Sequence, residues 1–355
     1  MPSSPTLVTR PAADAAKTLM FSEASEGGQA IERFLNHNRT AIARLGQRLR
    51  KAPPRLVTTC ARGSSDHAAT FGKYLIETLV GVPVSSAALS TSSIYAAPVV
   101  ASESLCIAIS QSGRSPDLLT AVEAHKRSGA LVVALVNDED SPLAALADEM
   151  LALRAGPEKS VAATKSYIAS LGGLAAIAAA WAGDDGLADA LAGLPEKLKR
   201  AFALDWSAAL PGLIDARNLF VIGRGYGFGV AQEAALKLKE TCALHAEAFS
   251  AAEVRHGPMA IVNDGFPVLA FATSDVAGDG VRDVAVEFGQ RGAHVLLADT
   301  EAVSGTVHLP ALKNHPALEP ILMIQSFYRL ANSLSLARGL DPDSPPHLNK
   351  VTKTV

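Results

Sequence analysis

Two segments of the sequence place hydroxyl and amide side chains beside glycine, directly after short apolar runs. Cys60 to His67 reads Cys-Ala-Arg-Gly-Ser-Ser-Asp-His, and Ser110 to Asp117 reads Ser-Gln-Ser-Gly-Arg-Ser-Pro-Asp. Glycine lets a ligand approach the backbone, while hydroxyls and the free N–H groups that begin a helix bind phosphate oxygens. Neither segment is a nucleotide-binding P-loop, which requires a lysine after its second glycine. Together the two segments predict a cradle for the phosphate of a phosphosugar.

Serine also caps helices, so capping is the alternative interpretation of Ser64 and Ser65. The second segment is richer than a cap requires, because Ser110, Gln111 and Ser112 follow an apolar run as three consecutive polar side chains. The serine and proline that come next are typical of a helix start. Both segments are therefore expected to lie where a strand ends and a helix begins.

Acid–base candidates occur in the second half of the chain. Glu233, Lys237 and Glu240 recur at i, i+4 and i+7, which places them on one face of a helix. A solvated ladder of ion pairs is the alternative, since such pairs are common on exposed helices. The predicted helix starts beyond a strand end, so one of its carboxylates could face a cleft.

The segment from residue 245 to residue 258 is dense in titratable side chains beside a Gly-Pro turn. A histidine near neutral pKa and a carboxylate suit proton transfer on a sugar. A metal site built from His245, Glu247 and His256 is the alternative, but no tight ligand spacing supports it. We expect neither a metal nor an organic cofactor.

The elements that would position these residues form an internal repeat. Apolar runs at 56–59, 105–109 and 131–136 alternate with helical segments, as in a parallel α/β sheet. Three pairs of segments are each separated by 162 positions, beginning at Ala61 and Gly223, at Ser110 and Ala272, and at Leu131 and Ala293. The sequence therefore predicts an α/β fold of two tandem units, each a doubly wound parallel sheet flanked by helices. The second copy has other residue types at the positions equivalent to Ser110 and Gln111. We therefore expect the first half of the chain to bind the phosphate and the second half to supply the catalytic residues.

Composition excludes several classes of protein. The formal net charge of the 355 residues is −3, which gives no reason to expect nucleic acid or a membrane surface as a partner. The three cysteines are far apart, so we expect buried thiols and a cytoplasmic protein. The apolar stretch 167–182 is too short to span a membrane and is expected to be a core helix.

The glycine-rich segment that starts at Gly223 is not expected to bind a dinucleotide, because Phe228 stands where that motif needs a small residue.

In this order, the motifs resemble the sugar isomerase (SIS) family, specifically the isomerase half of glucosamine-6-phosphate synthase and the stand-alone deaminases related to it. The resemblance covers the chain from about residue 30. It rests on the two serine loops, on Val161 to Lys165, on Leu236 to Glu240, on His245 to Ala248, on Arg255 to Pro258 and on the lysine-containing tail.

The resemblance implies a set of site residues. Glu240 would move a proton between C1 and C2 of the sugar, His256 would open and close the ring, and Lys350 would form an imine with the open-chain ketose. The resemblance also implies a homodimer with shared active sites, in which the histidine comes from the neighbouring subunit. The substrate and phosphate ligands would be Ser64, Ser65, Ser110, Gln111, Ser112, Ser115, Val161, Ala162, Glu233 and Lys237.

Departures from the synthase favour the deaminases. The synthase begins with a glutaminase cysteine, whereas Pro2 follows Met1 here, so glutamine is not expected to supply ammonia. Arg114 and Ser115 replace the usual Glu and Thr of the second loop; Arg114 could be an added cation near the phosphate or a surface arginine. The expected organisation is an arm at 1–30, SIS units at 31–195 and 196–340, and a tail at 341–355 that closes the active site.

The expected reaction converts glucosamine 6-phosphate and water into fructose 6-phosphate and ammonia. An aldose–ketose phosphosugar isomerase and a synthase that uses free ammonia are alternatives within enzymes. A phosphosugar sensor without catalysis is the alternative from another class. Retention of Glu240, His256 and Lys350, together with the lack of a recognisable DNA-binding segment, argues against the sensor.

Overall fold

The computed structural model describes residues 12–350 and divides the chain into two compact units. The first unit contains residues 27–158 and 165–197, and the second contains residues 12–26, 159–164 and 198–350. The division in mid-chain lies close to the boundary expected at 195/196. Two short segments group with the second unit although they lie outside its main stretch of chain: 12–26 precedes the first unit and 159–164 interrupts it.

The first unit is an all-parallel sheet with helices on both faces. Its strand order is β2-β1-β3-β4-β5, so the chain passes outward from β1 to β2 and then returns to the other side of β1. Its elements are α2 (Gly27–Lys51), β1 (Leu56–Cys60), α3 (Ser64–Leu79), β2 (Val84–Ser86), α4 (Ser90–Ser93), β3 (Ser104–Ser110), α5 (Pro116–Arg127), β4 (Leu131–Val136), α6 (Pro142–Leu146), β5 (Glu149–Ala152), α7 (Lys165–Ala182) and α8 (Asp185–Ala192).

The second unit repeats this topology. Read from the opposite edge, its order is β7-β6-β8-β9-β10, which matches the first sheet strand for strand. Its elements are α1 (Leu19–Ser25), α10 (Leu210–Leu213), β6 (Asn218–Gly223), α11 (Phe228–Cys242), β7 (His245–Ser250), β8 (Pro267–Phe271), α12 (Val276–Gln290), β9 (His294–Asp299), β10 (Val307–Pro310) and α13 (Glu319–Ala337), while α9 (Leu194–Ala203) begins in the first unit and ends in the second. The two tandem doubly wound units predicted from the repeat are confirmed.

Helix α7 is buried almost all round, as the apolar stretch predicted. Glycines allow it to pack closely in the first unit, because a Cβ on Gly172 would lie 2.7 Å from Ile31 of α2, and one on Gly173 would lie 2.8 Å from Leu135 of β4. On the other face of the sheet, Cys106 and Val132 pack into a core with α5 and α6. Across residues 12–350, no helix combines the length and apolar character needed to cross a membrane.

The arm predicted for residues 1–30 is wrong in its described part. Residues 19–25 form α1, whose first turn is capped by the Thr18 hydroxyl, which accepts from Phe21 N–H. Met20 is fully buried, and the Asp343 carboxylate accepts from the N–H groups of Leu19 and Met20 at 2.7 Å. The Ser, Pro and Ala content that suggested an arm did not reveal this tertiary anchor. Residues 1–11 lie outside the described part.

All three cysteines are free and buried, as expected. Cys60 and Cys106 lie on adjacent strands with their sulfur atoms 3.8 Å apart. Burial raises the pKa of Cys242 to about 12, and the hydrogen bond with Cys60, together with burial, raises the pKa of Cys106. The thiols of Cys106 and Cys242 therefore remain protonated at neutral pH.

Candidate functional site

The two serine loops leave the carboxyl ends of β1 and β3, which are neighbours in the sheet with Cys60 opposite Ala108. The strand order changes direction between these two strands, and ligands bind at such a switch point in open α/β sheets. Gly63 is the N-cap of α3 with φ +54, and Ser64 and Ser65 form the first turn. The sequence thus correctly predicted where both loops lie.

The second loop is shaped by a hydroxyl and a glycine. The Ser110 side chain accepts from Gly113 N–H at 2.9 Å and is almost completely buried. Gly113 has φ +63, and a Cβ there would collide with the Ser141 hydroxyl, so only glycine fits. Gln111 and Ser112 at the bend are half-buried. Ser110 therefore holds the loop closed, while Gln111 and Ser112 remain accessible to a ligand.

Capping does not account for the polar residues that open α5. Ser115 is the N-cap of this helix, yet its side chain makes no capping hydrogen bond.

Arg114, which precedes this helix, is paired with a carboxylate. Its side chain is half-exposed, and its Nε and Nη2 donate to Asp138 Oδ2 at 3.0 and 2.7 Å. Arg114 is thus an arginine paired at the surface of the loop, and its guanidinium is already engaged by a carboxylate.

The acid–base candidates on α11 form a buried ionic triad. Lys237 Nζ lies 3.3 Å from Glu233 Oε1 and 2.5 Å from Glu240 Oε2. The side chains of Glu233 and Lys237 are 0% and 1% exposed, whereas that of Glu240 is 22% exposed. Tyr328 O–H also donates to Glu233 Oε1 at 3.3 Å. The solvated ion-pair ladder is therefore the wrong interpretation of this helix.

Burial alone would lower the pKa of Lys237, because it penalises the charged form. The carboxylates of Glu233 and Glu240 outweigh that penalty, so its pKa is raised. Lys237 is therefore a fixed cation that holds one oxygen of Glu240. Within residues 12–350 the other Glu240 oxygen makes no hydrogen bond, which suits a carboxylate that acts as a base.

Glu240 and His256 lie at opposite edges of the second sheet. α11 runs back from the carboxyl end of β6, and Glu240 is in its last turn, so this carboxylate lies at the amino edge. His256 follows β7, which crosses the sheet again over six residues, or about 20 Å, and the histidine is exposed in a turn at the carboxyl edge. That a carboxylate of α11 faces a ligand cleft therefore stays a prediction for Glu240.

The metal alternative is not supported by the geometry. His245 opens β7, at the far end of that strand from His256. The group of potential metal ligands that the described residues do bring together is Cys60, Cys106 and His125, in the core of the first unit. Its His125 Nδ1 lies 2.9 Å from the Ala121 carbonyl, which ties that nitrogen to the helix backbone.

The tail is anchored within the second unit. Lys350 Nζ donates to the Ser160 carbonyl at 2.8 Å, and Val161 N–H donates to the Asp343 carbonyl at 3.2 Å. Val161 is half-buried and Ala162 is buried, so any ligand contact of Ala162 would involve its backbone. Lys350 thus contacts the residue that precedes Val161 and Ala162, while its role in catalysis stays a prediction. Residues 351–355 of the tail lie outside the described part.

The equivalent loop of the second unit is filled by a side chain of its own. Ser274, which corresponds to Ser112, donates its N–H and its hydroxyl to the Glu319 carboxylate at 2.6 and 2.8 Å. Asn314 N–H donates to the same carboxylate at 3.1 Å, and Glu319 is fully buried. An internal anion thus occupies the donors that correspond to those of the first unit. Sequence comparison of the two copies could not reveal this, because Glu319 is remote in the chain.

Glu319→Gln is expected to lower the free energy of unfolding by about 1–3 kcal/mol, because an amide nitrogen would face N–H and O–H donors. Denaturant unfolding followed by circular dichroism measures the change. Asp279→Asn is the control, since that side chain is 70% exposed and should change stability by less than about 0.5 kcal/mol. Equal stability of Glu319→Gln and the unsubstituted protein would show that the carboxylate is not needed to fill the loop.

Comparison with known proteins places these features in a family. The family model described as "SIS domain" matches residues 49–180 and 212–304. A glutamine–fructose-6-phosphate aminotransferase (isomerizing) from Aeropyrum pernix is 38% identical over 307 residues, which are 81% of this chain and 49% of that protein. The chain spans about half the length of the curated relatives that it matches.

Solved structures agree with this match. A protein from Silicibacter pomeroyi, provisionally described as a phosphosugar isomerase, superimposes with a TM-score of 0.87 at 42% identity, covering 92% of this chain and all of that one. Glucosamine-6-phosphate deaminase from Thermotoga maritima superimposes with a TM-score of 0.75 over 95% of this chain and all of that one. Its identity is 22%, so that likeness concerns the fold alone.

Proposed function

Because the chain belongs to the SIS domain family, we propose that it is an enzyme of amino-sugar metabolism that converts glucosamine 6-phosphate and water into fructose 6-phosphate and ammonia. The observation that carries this proposal is the Glu240 carboxylate, which is partly exposed and fixed by a buried cation. Such a carboxylate can accept a proton from carbon at one step and return it at the next.

The first unit would hold the substrate by its phosphate. The hydroxyls of Ser64, Ser65, Ser112 and Ser115 and the amide of Gln111 would donate to phosphate oxygens, with Ser110 keeping its loop in shape. The first turns of α3 and α5 add backbone N–H groups and the positive end of each helix dipole. The filled loop of the second unit supports one phosphate site per chain.

The chemistry would proceed in three steps. His256 would transfer the ring proton as the sugar opens. Glu240 would then remove the proton from C2 and return it to C1, while a proton passes from the amine nitrogen to the C1 oxygen, which converts the amino aldose into a C2 imine. Water would add to that imine, and expulsion of ammonia leaves the C2 ketone of fructose 6-phosphate. Each atom of the substrate and of one water molecule is accounted for, and no redox step is involved.

The other residues named from the sequence would orient these steps. Glu233 holds Lys237, which in turn holds Glu240. Lys350, once it loses its proton, would form an imine with the ketose, and its hydrogen bond to the Ser160 carbonyl holds it next to the segment that includes Val161 and Ala162. The separation of Glu240 and His256 within one chain supports a homodimer in which His256 acts on the substrate of a second copy.

The test is to incubate the purified protein with glucosamine 6-phosphate and to measure ammonia and fructose 6-phosphate together. Equal amounts of both products are expected. Interconversion of aldose and ketose phosphates without ammonia would replace the deaminase with an isomerase, and glucosamine 6-phosphate made from fructose 6-phosphate and ammonia alone would favour a synthase. Binding without turnover of any of these sugars would favour the sensor.

Ser112→Ala is expected to raise KM for glucosamine 6-phosphate about tenfold with little change in kcat, because it removes one hydrogen bond to a charged group. Steady-state kinetics measure both constants. Ser128→Ala, which changes a serine at the far end of α5, is the control and should leave KM unchanged. A tenfold fall in kcat with an unchanged KM would contradict a phosphate-binding role for Ser112.

A further inference from the structure

One ion pair joins the two phosphate loops of the first unit. Arg62 lies in the loop after β1, just before the glycine that starts the serine motif, and Asp117 lies in the first turn of α5. Nε and Nη2 of Arg62 donate to the same Asp117 oxygen, at 2.9 and 2.8 Å. The other Asp117 oxygen accepts from Leu118 N–H at 2.8 Å. The pair therefore links residues that are far apart in the chain, across the switch point of the sheet.

The two partners differ in their exposure. Asp117 is 1% exposed, whereas the Arg62 side chain is 54% exposed. A buried carboxylate requires a cation or several donors, because an uncompensated charge in a protein interior is strongly unfavourable. Arg62 satisfies this requirement with two donors of its rigid fork, which restrict the guanidinium to one orientation. The contact therefore restrains the loop after β1 as well as the start of α5.

The second unit is an internal comparison. Arg224 and Asp279 follow Arg62 and Asp117 by 162 positions each, so both residue types are retained in the repeat. Asp279, however, is 70% exposed and pairs with Arg282 at 3.0 Å, while within residues 12–350 the Arg224 guanidinium makes no hydrogen bond or ion pair. The ion pair is thus made in the first unit and not in the second unit, whose loop is filled by Glu319.

We propose that Arg62 and Asp117 form a clamp that fixes the separation of the two phosphate loops before a phosphosugar binds. This inference rests on the proposed function, because it concerns the affinity of the same site. The pair does not enter the chemistry; it positions the donors of Ser64, Ser65 and Ser112. Donors that are already in place lose less conformational entropy when the ligand arrives, which increases affinity.

Asp117→Asn distinguishes the clamp from simple attraction of the phosphate. The substitution removes a negative charge beside the site, so attraction alone predicts tighter binding of the dianion. A clamp predicts weaker binding, because the asparagine amide cannot accept two charged donors in the same way. The dissociation constant of glucitol 6-phosphate, which carries the phosphate but cannot form a ring, is measured by calorimetry below the melting temperature of every variant. We expect it to rise about tenfold or more.

Arg62→Lys is a second variant in case Asp117→Asn does not fold. It keeps the charge but loses the fork, so the clamp predicts a rise in the dissociation constant of several-fold, and attraction predicts none. Arg114→Gln and Asp138→Asn are matched controls, because they break an exposed ion pair beside the same loop. They should change the dissociation constant less than about twofold.

The outcomes separate the two proposals. If the unsubstituted protein binds no hexose 6-phosphate or hexitol 6-phosphate, the proposed function and the clamp are both overturned. Suppose instead that the unsubstituted protein binds glucitol 6-phosphate, and that Asp117→Asn and Arg62→Lys bind it with the same dissociation constant but melt at lower temperatures. The clamp alone is then overturned, and the ion pair is only structural.

Discussion

Glu240→Gln is expected to lower kcat for glucosamine 6-phosphate by a factor of about 10² to 10⁴, the range by which general acid–base groups contribute to catalysis. Glutamine has the same shape but cannot take up a proton from carbon. Exchange of the C2 proton with solvent deuterium, followed by proton NMR, reports this step directly. Binding of glucitol 6-phosphate should change little, because the proposed phosphate ligands lie in the other unit of the chain.

Glu247→Gln is the matched control for Glu240→Gln. Glu247 is an exposed carboxylate on β7, so its loss should leave the exchange rate within about twofold of the unsubstituted protein. C2 exchange at an unchanged rate in Glu240→Gln would remove Glu240 from proton transfer.

Lys237→Met is expected to lower the free energy of unfolding by about 3–5 kcal/mol, since it leaves the fully buried Glu233 without its cation. Urea denaturation followed by circular dichroism measures the loss. Lys239→Met is the control on the same helix. Because Lys239 is exposed, its substitution should change the free energy of unfolding by less than about 0.5 kcal/mol. Adding Glu233→Gln to Lys237→Met should recover part of the loss, because the double variant no longer buries an unpaired charge.

The raised pKa of Lys237 also determines how its contribution to the free energy of unfolding depends on pH. Its folded-state pKa lies above the ordinary value of 10.5, so the folded protein binds this proton more tightly than the unfolded chain. The stabilisation is fully present below pH 10.5 and is lost as the pH rises through the raised folded value. A stability difference between Lys237→Met and the unsubstituted protein that stayed constant well into that alkaline range would contradict a charged Lys237.

Much of the fold was predictable because the repeat keeps one spacing. Strands predicted at 56–59, 105–109 and 131–136 agree with β1, β3 and β4 to within a residue at either end. Edge strands β2 and β5 were not predicted, since they have three and four residues and lack a long apolar run. The loops at the switch point followed from the strands, because parallel strands must deliver their following loops to one edge.

The site was less predictable, because its charges interact over long distances in the chain. The spacing of Glu233, Lys237 and Glu240 indicated a shared helical face but not its burial, since an exposed ladder has the same spacing. The Arg62–Asp117 pair and the Glu319 carboxylate in the loop of the second unit join elements whose approach is set by packing alone. No local signal distinguishes Asp117 from Asp279, although one is buried and the other exposed.

The most direct measurement is a crystal structure of the protein with glucitol 6-phosphate, the reduced open-chain counterpart of the sugar. The proposed function predicts phosphate oxygens within about 3.2 Å of the Ser65 and Ser112 hydroxyls, and a Glu240 oxygen within about 3.5 Å of C1 or C2. It also predicts His256 of a second copy near the ring oxygen position. Phosphate bound outside the two serine loops, or a Glu240 carboxylate too remote to reach either carbon, would contradict the assignment of the cradle and the base to one active site.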